Sequence, residues 1–166
     1  MRMRRLLLLC GLVLFEFSAT AFAETPDGYT FRSFDDGLQQ ARQQEKKLFV
    51  YFGRQGCGWC VKTNREVFSD SDIRNRYSAH YILVYVDTES GQRLTLPSGE
   101  RITEMAFAAR QRIIATPMFA FFEPDGTFIF KISGLQSIDD FKQYDRYVQD
   151  GHYRRQGLRD FLAAPP

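Results

Sequence analysis

The stretch Leu48-Phe49-Val50-Tyr51-Phe52-Gly53-Arg54-Gln55-Gly56-Cys57-Gly58-Trp59-Cys60 decides how this chain is read. Leu48 to Phe52 is a short, unbroken apolar run, the mark of a strand buried on both faces. Gly53 to Gly56 is a turn-prone link, and Cys57 then opens a helical stretch reaching about Phe68. A thiol at the start of a helix meets unpaired backbone N–H groups and the positive end of the helix dipole, and both favour its thiolate. A second thiol one turn on is near enough to attack a mixed disulfide from within, so attack, capture and release follow as thiolate displacements. Half a zinc site is the rival, but structural zinc needs four ligands and there is no second cysteine pair. His80 and His152 are too remote in sequence to complete a set. A passive disulfide across two residues closes almost no loop and stabilises little. Trp59 is the one Trp of the chain. A core Trp is the plain alternative, yet its place between the cysteines favours a ring facing solvent, ready to lie against a substrate peptide.

Working outward, Asp35 to Lys47 reads as an amphipathic helix with Leu38 and Ala41 inward. Ser69 or Asp70 caps a short helix through Tyr77, and Tyr81 to Asp87 is a second strong strand. Arg93–Leu96 and Arg101–Thr103, about Pro97-Ser98-Gly99, form a hairpin, and a helix follows to about Arg112. Met118–Phe122 and Phe128–Ile132 flank Glu123-Pro124-Asp125-Gly126-Thr127 as an antiparallel pair. Ser137 to Val148 closes the domain, and Tyr153 to Leu162 is a helical tail. Thr116-Pro117 stands immediately before a strand, where Pro is tolerated. This order predicts a three-layer α/β/α fold with a mixed central sheet and an inserted β-hairpin.

The chain has 166 residues, enough for one domain, and 15% aromatic content supplies the core. Residues 1–23 order three arginines, the apolar run Leu6–Phe15 and Ala21-Phe22-Ala23, as in a secretory signal peptide cleaved after Ala23. An uncleaved anchor is the competing reading, but ten apolar residues fall short of the roughly 20 that span a bilayer. Removal takes three Arg and one Glu from 22 basic and 20 acidic residues and leaves 19 of each. That balance speaks against a nucleic-acid binder. Cys10 is lost too, so residues 24–166 form an exported domain whose two cysteines are there for chemistry. Neither Gly-x-Gly-x-x-Gly nor a P-loop occurs, so no nucleotide cofactor is expected, and no metal.

Strand, Cys57-Gly58-Trp59-Cys60, helix, strand, helix, Thr116-Pro117, hairpin and helix together resemble the thioredoxin superfamily. Cys60, Lys62 and Val67-Phe68-Ser69-Asp70 look like the C-terminal thioredoxin domain of the transmembrane reductant conductor DsbD. Glu123-Pro124-Asp125-Gly126, Gly134 and Asp150-Gly151-His152-Tyr153-Arg154 look more like SoxW-type periplasmic thioredoxins, a likeness running from about Phe31 to Leu162. The resemblance implies a thiol–disulfide oxidoreductase in the periplasm, acting on protein thiols and disulfides and supplied by a membrane electron donor of the DsbD type. It implies that Cys57 attacks and Cys60 resolves, that Pro117 is a cis-proline opposite the pair, and that the Thr116 backbone pairs with the substrate chain. Cys57 is expected to be the more exposed and more acidic thiol. Two departures stand out: Tyr51 and Asn64 occupy positions where these relatives carry carboxylates. Water or Glu66 is left to move the proton of Cys60. A disulfide oxidase or isomerase is the alternative, and so is a peptide-binding module without turnover, although the latter would need neither thiol.

Overall fold

The computed structural model describes residues 25–164. The expected signal peptide, residues 1–23, lies outside the described residues.

Strand β1 (Lys47–Gly53) is the centre of the molecule. It pairs in parallel with β2 (Tyr81–Asp87), Val50 opposite Val84, and antiparallel with a strand at Met118–Phe122, Val50 opposite Ala120. We number the short hairpin strands Arg93–Thr95 and Arg101–Thr103 β3 and β4, Met118–Phe122 β5, and Phe128–Ser133 β6. The main sheet runs β2-β1-β5-β6 and is mixed, while β3 and β4 form a separate two-stranded ribbon.

The alternation of a strand explains the layers. Phe49 and Tyr51 of β1, Leu83 of β2 and Phe119 and Phe121 of β5 point to one face. Leu48, Val50, Phe52, Val84, Met118, Ala120 and Phe122 point to the other. Both sets are buried, which is why β1 and β5 read as continuous apolar runs rather than alternating ones. The first face is covered by α2 (Gly58–Thr63) with the π-helical turn Asn64–Phe68, by α3 (Ser71–His80) and by α5 (Ile138–Gln149). The second is covered by α1 (Phe34–Gln44), α4 (Glu104–Arg110) and the β3–β4 ribbon through Leu94 and Ile102. At Gly37 of α1 an added Cβ would stand 2.2 Å from Val84 Cγ2, so the helix packs on β2 only because that residue has no side chain.

Helix starts follow local chemistry. Asp70 accepts the N–H groups of Asp72 and Ile73 at 2.9 and 3.0 Å and begins α3. Ser137 and Asp140 form a reciprocal capping box on α5. Two expectations shift. The helix after Cys57 is α-helical only to Thr63 and then widens into the π turn, and α1 ends at Gln44 because Glu45 takes a left-handed conformation. The tail is a 3₁₀ turn at His152–Arg154 followed by α6 (Leu158–Ala163). No helix among the described residues is long and apolar enough to cross a membrane.

Candidate active site

The site lies at the carboxyl end of β1. Gly56, at φ 69°, turns the chain in a conformation that favours glycine, and Cys57 becomes the N-cap of α2. Its Sγ accepts the backbone N–H of Cys60 at 3.1 Å, so the sulfur takes the place of a capping oxygen at the helix end. Cys57 and Cys60 form a disulfide with their Cα atoms 5.2 Å apart. The expected difference in exposure is not seen, for both residues are 4% exposed in this disulfide state. Trp59 between them is 59% exposed, with the Lys62 ammonium 5.4 Å from its ring centroid.

The Thr116–Pro117 peptide is cis. The Thr116 hydroxyl donates to Cys57 Sγ at 3.3 Å, a contact that pattern reading missed because it assigned Thr116 a role through its backbone alone. Pro117 is buried beside them, and its carbonyl accepts the N–H of Gly134 at 2.9 Å, which joins the start of β5 to the end of β6. The structure therefore places Cys57, Cys60 and Thr116 in one cluster, with Pro117 next in the chain and Trp59 on the solvent side.

Tyr51 and Asn64 prove to be partners. Tyr51 is fully buried on the face of β1 that α2 covers, and its hydroxyl donates to Asn64 Oδ1 at 3.1 Å. Burial, with Tyr85 beside it, pushes this phenol well above its ordinary range. The phenol stays neutral and an amide never titrates, so this link holds no proton-exchanging carboxylate. Spacing contained the signal: Asn64 is one helical turn beyond Cys60, and Tyr51 shares a strand face with Phe49. Glu66 is engaged at the surface by Arg65 at 3.1 Å and by Lys62 at 3.9 Å. Arg54 likewise faces Glu89 at 3.5 Å. Each of these cations has a neighbour other than the sulfur.

Buried carboxylates do exist, but elsewhere, at Glu104 and Asp145. Asp145 of α5 is 2% exposed and is held by His80 at 2.8 Å, Tyr81 at 2.9 Å and Arg76 at 3.2 Å. These residues gather where β2 begins, at the opposite end of the sheet from Cys57. His80 is thus a structural partner of Asp145.

Residues 34–149 match the thioredoxin-like domain family. The chain belongs to that family. The disulfide bond reductase DsbH of Chlamydia pneumoniae is 23% identical over 97 residues, which are 58% of this chain and 57% of that protein. The chain therefore aligns with a little over half the length of that relative. A putative disulphide-isomerase from Bacteroides thetaiotaomicron has a solution structure that superposes with a TM-score of 0.60 at 23% identity, over 81% of this chain and 100% of that one. The oxidised C-terminal domain of DsbD from Neisseria meningitidis superposes at 0.51 with 13% identity, covering 72% and 98%. These likenesses fix the thioredoxin fold. Within it, this thioredoxin-like chain presents a helix-capping cysteine, a second cysteine bonded to it and a hydroxyl donor, the equipment of thiol–disulfide exchange.

Proposed function

We propose that this chain is an exported thiol–disulfide oxidoreductase that reduces protein disulfides and is itself re-reduced by a membrane donor of the DsbD type. The observation that carries the direction is the set of groups around Cys57 Sγ. Its donors are the Cys60 N–H and the Thr116 hydroxyl, both neutral, while Arg54 and Lys62 have partners of their own. A strong oxidant needs its reduced thiolate strongly stabilised, and two neutral donors stabilise it only in part. The reductase activity named for the Chlamydia relative supports the same direction. Export rests on the arginine, apolar, Ala-x-Ala order of residues 1–23.

In the reducing half-reaction the Cys57 thiolate attacks a substrate sulfur. A Cys57–substrate disulfide forms and the other substrate sulfur leaves with the electron pair. The Cys60 thiolate then displaces the second substrate sulfur, which leaves as thiolate and takes a proton, and the Cys57–Cys60 disulfide remains. Two electrons pass from the chain to the substrate, and the donor must return them. Insulin-disulfide reduction tests the reading. Wild type is expected to turn over with a chemical reductant present, Cys57→Ser to be inert, and Cys60→Ser to accumulate a mixed disulfide. Alkylation of the reduced chain at neutral pH is expected to label Cys57 first. Preferential labelling of Cys60 would reverse the two roles.

A further inference from the structure

Thr116 reaches Cys57 from a segment with few bonds of its own. Helix α4 ends at Arg110, and residues 111–115 run without regular structure to the Thr116–Pro117 peptide. At the near end the N–H groups of Gln111, Arg112 and Ile113 bond back to the carbonyls of Phe107, Ala109 and Ala108 at 2.9, 2.9 and 3.0 Å. At the far end Pro117 is tied to Gly134. Between them the N–H groups of Ile114, Ala115 and Thr116 meet no backbone acceptor among the described residues. Arg112 stands at φ 53°, a left-handed conformation that a residue with a side chain keeps only where its surroundings hold it.

The group that holds it comes from another element. Lys131 lies within the edge strand β6, opposite Ala120 of β5. Opposed residues of an antiparallel pair share a face, and Ala120 belongs to the face that α4 covers. From there the Lys131 ammonium donates to the Gln111 carbonyl and, at 3.1 Å, to the Arg112 carbonyl. Neither carbonyl accepts a backbone N–H among the described residues, so one cation satisfies two acceptors left over at the end of a helix. We propose that Lys131 is a positioning residue for Cys57. By fixing residues 111 and 112 it aims the loop so that the Thr116 hydroxyl, 3.3 Å from Cys57 Sγ, stays on the sulfur when the disulfide opens and the thiolate forms. Hydrogen bonds are directional, so a small turn of the loop is enough to misaim the hydroxyl. The inference rests on the reading of Cys57 as the attacking thiol and names the group that sets one of its two donors.

The experiment measures the Cys57 pKa in the reduced chain from the pH dependence of its alkylation, mapped to the residue by mass. Four chains are compared: wild type, Thr116→Val, Lys131→Met and the two substitutions together. Complete loss of the hydroxyl is worth about one pKa unit, so its partial loss in Lys131→Met is expected to raise the value by about half a unit. The double variant is expected to titrate with Thr116→Val, because a lysine that acts through the hydroxyl then has nothing to position. Lys131→Arg keeps the charge and the donors and is expected to hold the wild-type value. Urea midpoints check that each chain folds, and Lys131→Ala takes the place of Lys131→Met if that chain does not. An ammonium acting on the thiolate through space would shift the pKa equally with and without the hydroxyl, and less in high salt. That additivity would overturn the inference. So would a Lys131→Met chain with a lowered urea midpoint and an unmoved pKa, the behaviour of a merely structural lysine. An unmoved pKa in Thr116→Val would overturn it too, since Lys131 would have nothing to transmit. All these outcomes are read on the thiol, so the inference can fail while wild type still reduces insulin. Wild type inert toward insulin, with the pKa pattern intact, would overturn the oxidoreductase reading alone.

Discussion

Cys57 Sγ receives one hydrogen bond from the backbone of its own helix and one from a side chain brought by a distant loop. The first cannot be removed without rebuilding α2, but the second can. Thr116→Val keeps the shape and deletes the hydroxyl, so the reduced Cys57 thiolate loses a donor. A hydrogen bond to a charged group is worth about 1.5 kcal/mol or somewhat more, and one pKa unit corresponds to about 1.4 kcal/mol. The Cys57 pKa is therefore expected to rise by about one unit, read from the ultraviolet absorbance of the thiolate during a pH titration. An unmoved pKa would mean that the hydroxyl turns away once the disulfide opens. A second residue-scale test concerns Asn64. Its side chain meets Tyr51 beside the helix turn that carries Cys60, and neither partner ionises in the working range. Asn64→Asp is close in shape and puts a carboxylate there. The variant is expected to add an ionisation to the pH profile of mixed-disulfide resolution, a limb that wild type lacks. Identical profiles would show that the position does not communicate with Cys60.

Between elements, two buried carboxylates do different things. Asp145 ties α5 to the end of α3 and the start of β2 through Arg76, His80 and Tyr81. Asp145 is the buried acceptor that Arg76, His80 and Tyr81 share, and its loss unties α5 from the end of α3 and the start of β2, so Asp145→Ala is expected to cost about 3 kcal/mol in urea unfolding while Cys57 keeps its reactivity. Glu104 opens α4 beneath the loop that carries Ser90. Burial raises its pKa, the Ser90 hydrogen bond opposes that rise, and Asp87 adds to it. A carboxyl with a raised folded pKa favours the fold while protonated, so its contribution is full below the ordinary value of 4.5 and is lost as pH climbs through the folded value. Glu104→Gln is expected to raise the urea midpoint at neutral pH and to change it little below that ordinary value. A loss of stability at both would show that the carboxylate is needed as an acceptor. The elements were largely legible, since β1, β2 and β5 announce themselves as apolar runs and Asp70 and Ser137 as caps. The π turn after Thr63 was not, because the same apolar spacing suits either helix over a single turn.

For the molecule as a whole, sequence carried the layers and the cysteine pair but not the contacts that tune the pair. Helix-start chemistry and strand period are local, so Cys57, Cys60 and the three-layer order could be read directly. The Thr116–Cys57 bond spans 59 residues and the Asp145–His80 pair 65, and no local pattern encodes either meeting. Direction of electron flow belongs to this scale, because it is set by the difference between two folded states. In the oxidised state the pair is sealed at a helix end. In the reduced state the Cys57 thiolate has the helix N–H, the helix dipole and one hydroxyl, with the nearby cations committed to Glu89, Glu66 and the Trp59 ring. That is less stabilisation of the reduced form than a couple near −120 mV of the DsbA kind demands, and it resembles more the balance of a thioredoxin near −270 mV. Equilibration of the purified chain with glutathione buffers is therefore expected to place the Cys57–Cys60 couple nearer the thioredoxin value. A potential above about −150 mV would make the chain an oxidant and would reverse the direction proposed for it.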